Sequence, residues 1–535
     1  MSSTSSRFEG LLDRYFETWL QEDPVSATYL GWKTGEGLLG RTNLVFEQHR
    51  EKERRTALAG LSSLSPRELT PEQHLDRLAF RNLLRSGCEE FARGRHRLDP
   101  HPLGSVLDLL LHELLRGQHE PRRAASNLRS LLDQVPDHLS EASSLVRQPE
   151  RVWRNVMEKT AAGTADLFKA VATFLHETGP QPSDEGRIAA SRKACLRYRD
   201  AVMARSAAPK ASFAIGPEVV QRRVREELGL DYSLAEIEAL ALGECRRIGK
   251  LLEQACAKIG NGRNPHAVLA EARRRWAPKG DLLTIYRQES RRIAAAFRSA
   301  QAVTFPQGDS LEVLPVPGFM RPIFPTAAYR SPGAFENPQR GIFWVNDLSL
   351  TKKTEAEKRA ERAQHFGIAL TCLHEGYPGH HLQFVTANRH PRRWRRLFAH
   401  AVFYEGWTLW CEQMAVDLNV VRSPSYRVIQ LHDALWRCHR ILIDLRLQTG
   451  RYTYDQAVAH LQKQLGFTRS RAEGDVNWYT AMPCVPMSYW LGRLEVERLH
   501  RRLVSGRGWR LKRFNDWLLS FGTLPQSWLE KYGLD

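Results

Sequence analysis

FGIALTCLHEGYPGHH, residues 366–381, is the stretch on which the reading of this chain turns. It opens with the longest apolar run in the sequence, Phe366 to Leu373, interrupted by Thr371. A run of that length makes a buried helix; a membrane span needs roughly 20 apolar residues. The run ends in His374-Glu375, and two further histidines follow at 380 and 381. A His-Glu pair on a buried helix, with more His close behind, is how zinc hydrolases assemble a site. Imidazoles hold the ion, and the Glu beside the first His activates a water.

The usual one-turn spacing of the two histidines is absent, because Pro378 stands where the second would be. In an unbroken helix, positions 374 and 380 would be roughly 240° apart around the axis and about 9 Å apart along it, too far for one ion. Pro378 lacks the N–H that would bond the carbonyl of residue 374. Gly379 can take backbone angles that other residues avoid. The pair is expected to absorb extra residues as a bulge and swing His380 back toward His374. Reaching back from His381 takes a larger distortion, so His380 is the expected ligand and His381 its neighbour.

A third ligand is expected from YEGWTLWCE, residues 404–412. Glu405 and Glu412 are seven apart and share a helix face two turns apart. Among Phe403, Trp407, Leu409 and Trp410, a carboxylate is costly to bury without a cation. Glu405 is expected as the ligand, and Glu412 as the group that orients a ligand or forms a salt bridge. The expected cofactor is one zinc ion on His374, His380 and Glu405, with water completing the site.

Outward from these motifs most of the chain reads as helix. Phe8, Leu11, Leu12, Tyr15, Phe16 and Trp19 recur on one helical face. Ser233 and Glu236 form a capping box. The helix they open carries Ile237, Leu240, Ala241, Ile248, Leu251, Leu252 and Ala255 on one stripe and stops at Gly260-Asn261-Gly262. Residues 179–186 and 206–217 read as loops. Between 302 and 347, Pro306, Pro315, Pro317, Pro322, Pro325 and Pro332 forbid long helices. There 311–316 and 341–345 read as strands, the second able to hold an extended peptide by edge pairing. Helix resumes near Thr354 and runs, with breaks, to Leu534. The expected fold is mainly α with a small β-sheet: a helical N-terminal region 1–300, a strand-bearing insert 301–350 and a helical catalytic region 351–535, intertwined as one domain.

The 535 residues hold 78 Lys and Arg against 60 Asp and Glu, a net charge of +18. The basic residues are scattered and no nucleic-acid-binding motif accompanies them, so no nucleic acid partner is expected. The first ten residues lack the apolar core of a signal peptide. With no membrane-length segment, the expectation is a cytoplasmic monomer or homodimer with no membrane partner. Eight Cys without a C-x-x-C pair are expected as buried, reduced thiols.

HEGYPGHHLQ (374–383), followed by Tyr404-Glu405-Gly406-Trp407, resembles the bacterial family named domain of unknown function 885. That family is grouped with zincin-type metallopeptidases and is distantly similar to carboxypeptidase Taq. The resemblance covers nearly the whole chain: 23–31 match its opening motif, and 440–444 and 483–492 its later ones. It implies a large helical zincin-like (gluzincin-type) body with a deep cleft, and its recurring His after Pro-Gly corresponds to His380. Tyr479 and Tyr489 match family Tyr positions and are candidate catalytic donors to an oxyanion. Arg440 and Asp444, four apart on a helix, can pair; with His381 and Glu412 they are expected around the metal or substrate. His432 and His439 are read as scaffold. Gln448, Trp478 and Val485 stand where the family tends to have His, Arg and Gln, which bears on substrate preference. The expected function is a zinc-dependent metallopeptidase acting on short peptides, with Glu375 taking the proton of the attacking water. A non-peptide amide hydrolase of a specialised pathway, or an inactive binding protein of the same fold, are the alternatives.

Overall fold

Many helices of this chain begin where a short polar side chain accepts from the free N–H groups of the first turn. Asn43, Thr70, Asp281, Thr354 and Thr453 do this. So does Ser233, whose reciprocal bonds with Glu236 (2.7 and 3.2 Å) open the helix Leu234–Gly260. In the computed structural model, which describes residues 3–260, 264–316, 326–348 and 354–533, helices make up 72% of the chain. The fold is therefore mainly α. Asn261, Gly262, Pro317, Pro322, Pro325 and Leu534 lie outside the described residues. The helix Asp184–Met203 starts inside the segment read as the loop 179–186, with Asp184 and Glu185 in its first turn, where the helix dipole favours acidic groups.

The chain forms two compact units. The first is Met1–Phe213 with Gly333–Glu336. Its helix Ser3–Glu22 buries Phe8, Leu12, Phe16 and Leu20, with Phe16 against Phe80 at 5.4 Å between ring centres. Gly333–Glu336 packs onto Leu30, whose carbonyl accepts from the Phe335 N–H at 2.8 Å. Phe335 meets Trp32 edge-on at 5.1 Å.

The second unit is Ala214–Pro332 with Asn337–Asp535. The division falls at Phe213 and not at 300, for a packing reason. The stripe Ile237, Ile248 and Leu252 is buried with Val428, Leu431, Cys438 and Ile441 of the helix Pro424–Gln448. Residues 214–300 thus share a core with the C-terminal helices. All eight cysteines are free; six are buried, but Cys88 and Cys245 are only half-buried. Among the described residues no helix is long and apolar enough to cross a membrane.

The sheet has three strands, β1 (Asp309–Pro315), β2 (Ala327–Arg330) and β3 (Gln339–Val345), in the order β1-β3-β2. β1 runs parallel to β3 and β2 antiparallel to it. β2, four residues long, carries too little pattern to be read from sequence. β3 is central and both its edges are occupied, so the expectation that 341–345 could pair with a peptide is corrected: among the described residues the outer strands are β1 and β2. Leu311 pairs with Gly341, and Phe343 with both Val313 and Tyr329. Paired residues and i, i+2 neighbours share a face, so Asp309, Leu311, Gly341 and Tyr329 look out on one side, over the His-Glu motif.

Candidate metal centre

The motif is a break between two helices and not the bulge expected from sequence. The helix Ile368–Glu375 ends, the chain turns through Gly376-Tyr377-Pro378-Gly379 with a cis Tyr377–Pro378 peptide, and a new helix His380–Ala387 starts. A break serves better because it re-aims the chain, whereas a bulge leaves the axis in place. Gly379 N–H bonds back to the Leu373 carbonyl at 3.1 Å. A Cβ at Gly379 would overlap the carbonyl oxygens of His374 and Leu373. Only glycine lets the chain fold this tightly onto the end of the first helix, which returns His380 to His374.

His374, His380 and Glu405 come together, each offering a ligand atom within 4.8 Å of the other two. Glu405 Oε2 lies 3.7 Å from His374 Nε2 and 3.6 Å from His380 Nε2. Ligand atoms placed tetrahedrally around zinc at its usual bond lengths are about 3.4 Å apart. All three side chains are buried. Glu405 Oε2 is buried without a hydrogen-bond partner, an arrangement that is costly unless a cation, as a metal ion or a protonated imidazole, lies beside it.

Each side chain of the triad is held from outside. His374 Nδ1 donates to Glu412 Oε1 at 2.9 Å, which turns Nε2 toward Glu405. His380 has no such partner; its Nδ1 is buried and unbonded. Rings orient it instead. Tyr329 and Phe384 lie nearly parallel to it, at 6.4 and 5.8 Å between centres, and Tyr404 meets it edge-on. Glu405 and Glu412 both sit on the helix Ala401–Asp417, whose Trp407 Nε1 donates to the Pro378 carbonyl at 2.8 Å. One helix thus supplies the carboxylate, the group that orients His374 and the clamp on the turn. It meets the helix Val485–His500 at Gly406 and Gly492, where a Cβ on either would enter the partner's backbone.

The electrostatics follow from this enclosure. Burial disfavours a charged His374, but the Glu405 and Glu412 carboxylates outweigh it and push its pKa up to about 10. Burial opposes ionisation of Glu405, yet the two imidazoles hold its carboxyl well below the usual range. Glu375 ends its helix half-buried and, among the described residues, makes no hydrogen bond or ion pair.

His381 points away from the triad. Its Nε2 meets Asp309 Oδ2 of β1 at 3.1 Å, and its Nδ1 meets the Tyr329 hydroxyl of β2 at 3.0 Å. Tyr377 O–H also donates to Asp309. Gly341 leaves room for this imidazole, which a Cβ would overlap. Sequence reading missed Asp309 and Tyr329. The one signal was a carboxylate at the start of a strand otherwise rich in apolar residues.

The remaining candidates divide. The Tyr489 hydroxyl lies against Glu405; burial, then that carboxylate, raises its pKa well above the ordinary value. The Tyr479 hydroxyl is fully buried and accepts from Trp436 Nε1 (3.2 Å) and Arg440 Nε (3.1 Å), with no bond to the triad. Arg440 and Asp444 do not pair, contrary to expectation. Arg440 turns into a nest of rings. Asp444 accepts from the Cys484 and Met487 N–H groups (3.4 and 3.2 Å) and caps the helix from Val485. A backbone cap satisfies a buried carboxylate locally, so it needs no cation. Burial still pushes the Asp444 pKa up to about 8 against those bonds. Trp478 stacks edge-on against Tyr489 at 6.1 Å. Gln448 donates to the Tyr479 carbonyl at 2.9 Å, and Val485 opens its helix. His439 bonds His460 at 2.9 Å and His432 lies beside Asp433. A cavity of about 470 Å³ is lined by Arg287, Arg291, Arg298, β1 and Tyr377, and not by the triad.

Two solved structures share the fold over essentially the whole chain. One is described as a "putative lipoprotein of unknown function" from Shewanella oneidensis, with TM-score 0.77, 17% identity and coverage of 99% of this chain and 100% of that one. The other is a "putative lipoprotein" from Colwellia psychrerythraea, with TM-score 0.79, 16% identity and 99% of each chain covered. At these identities the likeness is one of fold. No curated protein matches the sequence. The profile described as "Bacterial protein of unknown function (DUF885)" matches residues 24–532, and the chain belongs to that family.

Proposed function

We propose that this protein is a zinc-dependent hydrolase of amide bonds that acts on short peptides, with His374, His380 and Glu405 as the metal ligands. The observation that carries this reading is the buried, unbonded Glu405 Oε2 facing two imidazole nitrogens. Two imidazoles and one carboxylate form a donor set suited to zinc that leaves a position open. When bound, the ion supplies Lewis-acid polarisation of water and of the amide carbonyl. The free Glu375 carboxylate accepts the proton of the attacking water and returns it to the leaving nitrogen. Glu412 fixes the His374 ring with Nδ1 protonated, and the rings packed around His380 hold its orientation. The affinity with zincin-type peptidases noted from the motif belongs to this reading, as does a cleft admitting extended chains and not folded proteins.

The test is metal content together with turnover of a short-peptide library. Wild-type protein should hold one zinc per chain and cleave at least one library member. Glu375→Gln should keep the zinc and lose nearly all turnover. A variant that stays close to wild type would remove Glu375 from this role, and a chain that binds no zinc would remove the whole reading.

A further inference from the structure

Arg440, on the helix Pro424–Gln448, is a buried cation with no carboxylate in ion-pair contact among the described residues. It is 6% exposed. Its guanidinium carbon lies 3.9 Å from the centre of the Trp436 ring, 4.5 Å from that of Tyr489 and 5.2 Å from that of Trp478. Its Nε donates to the Tyr479 hydroxyl, and its Nη1 is buried with no acceptor. Among the described residues no carboxylate ion-pairs with it. Asp475 acts on it through space, but Asp475 Oδ2 is itself buried and unbonded. Arg437 and Arg471 crowd the same indole, at 4.6 and 5.1 Å, and Arg437 already pairs with Asp433 at 3.3 Å.

Aromatic faces stabilise a guanidinium but leave its N–H groups unsatisfied. A buried charge with open donors is costly and is kept where something binds to it. Trp436, Trp478 and Tyr489, the rings around Arg440, are each half-buried. Tyr489 also fixes the location, since its hydroxyl lies against Glu405. Arg440 is thus one tyrosine ring away from a metal ligand. An extended residue spans about 3.5 Å, so a group held by Arg440 sits one or two residues from an amide at the triad.

We infer that Arg440 anchors a carboxylate of the substrate, so that the substrates are peptides with a free carboxylate one or two residues from the cleaved bond. This rests on the amide-hydrolase reading for the cleavage but not for the anchoring. Guanidinium and carboxylate meet through charge-assisted N–H···O bonds, and the unbonded Nη1 has donors to give.

The test separates the two. Zinc-loaded Glu375→Gln protein is titrated calorimetrically with trialanine and with trialanine amide. Trialanine should bind at least about tenfold more tightly, the size of one charge-assisted hydrogen bond. Arg440→Met in the same background should erase the difference and leave the thermal midpoint equal or higher, since an unpaired buried charge is removed. Arg440→Lys should restore part of the preference. Equal binding of acid and amide overturns the anchor whatever the turnover, as does a preference that survives Arg440→Met. Binding of inorganic phosphate as tight as that of trialanine overturns it too, in favour of a free-anion site. If trialanine is preferred through Arg440 and wild type cleaves no peptide, the anchor stands and the hydrolase reading falls.

Discussion

A single imidazole, that of His374, carries two opposed demands. Glu405 and Glu412 favour its protonated form, with a pKa near 10, whereas a metal requires Nε2 unprotonated. On the proposed zinc reading, proton and metal compete at one atom, and binding must release a proton. Apparent zinc affinity should rise with pH throughout the range below about 10, and calorimetry in buffers of different ionisation enthalpy should record the released proton. An affinity flat between pH 6 and pH 9 would contradict this. Glu412→Gln should lower zinc affinity by about 10- to 100-fold while leaving the ligand set complete. Single Ala variants of His374, His380 and Glu405 should each lose zinc, and His381→Ala should retain it; the reverse for His380 and His381 would exchange their roles. At this scale the cluster of His374, His380 and Glu405 was legible because each lies in a short apolar context where a polar residue needs a reason. Tyr329 and Asp309 were not. They reach His381 from strands 52 and 72 residues away, and no local pattern marks such a meeting. Arg440 was legible as a polar residue, but its cage of rings from three helices was not.

The helices that meet at Gly406 and Gly492 set how closely the Glu405 carboxylate approaches the histidines. A methyl group at Gly492 would run into the Val402 carbonyl. Gly492→Ala should cost about 1–3 kcal/mol by overpacking and weaken zinc binding, because the carboxylate moves with its helix. Denaturant midpoints and metal content read both effects, and loss of stability without loss of zinc would show that the crossing does not position Glu405. The cap at Asp444 acts through charge. Its folded pKa, about 8, exceeds the unfolded value near 4. The folded state thus binds the extra proton between those limits. Its contribution is fully present below about pH 4 and is lost as pH rises through about 8. Wild type should lose stability relative to Asp444→Asn across that window, read as diverging thermal midpoints; parallel profiles would exclude the effect. Sequence pattern located the helices through their caps and apolar stripes. It did not distinguish a bulge from a break at Pro378, because both relieve the same missing hydrogen bond and only the packing of Gly379 on two carbonyls decides between them.

At the scale of the molecule, the helical class and the small sheet followed from periodicity and proline placement, and the units did not. Which helices share a core depends on pairings such as that of Leu234–Gly260 with Pro424–Gln448, and these join segments far apart in sequence. The segment Gly333–Glu336 has the same character. Between β2 and β3 the chain leaves one unit, contributes four residues to the other and returns. No single scission can therefore release either unit whole. A recombinant fragment ending at Phe213 would keep Trp32 and the Leu30 carbonyl but lack the Phe335 ring and N–H that cover them. The missing strip is a short peptide, so such a fragment should gain thermal stability from a synthetic 331–338 peptide supplied in trans, as a split protein does from its complementing piece.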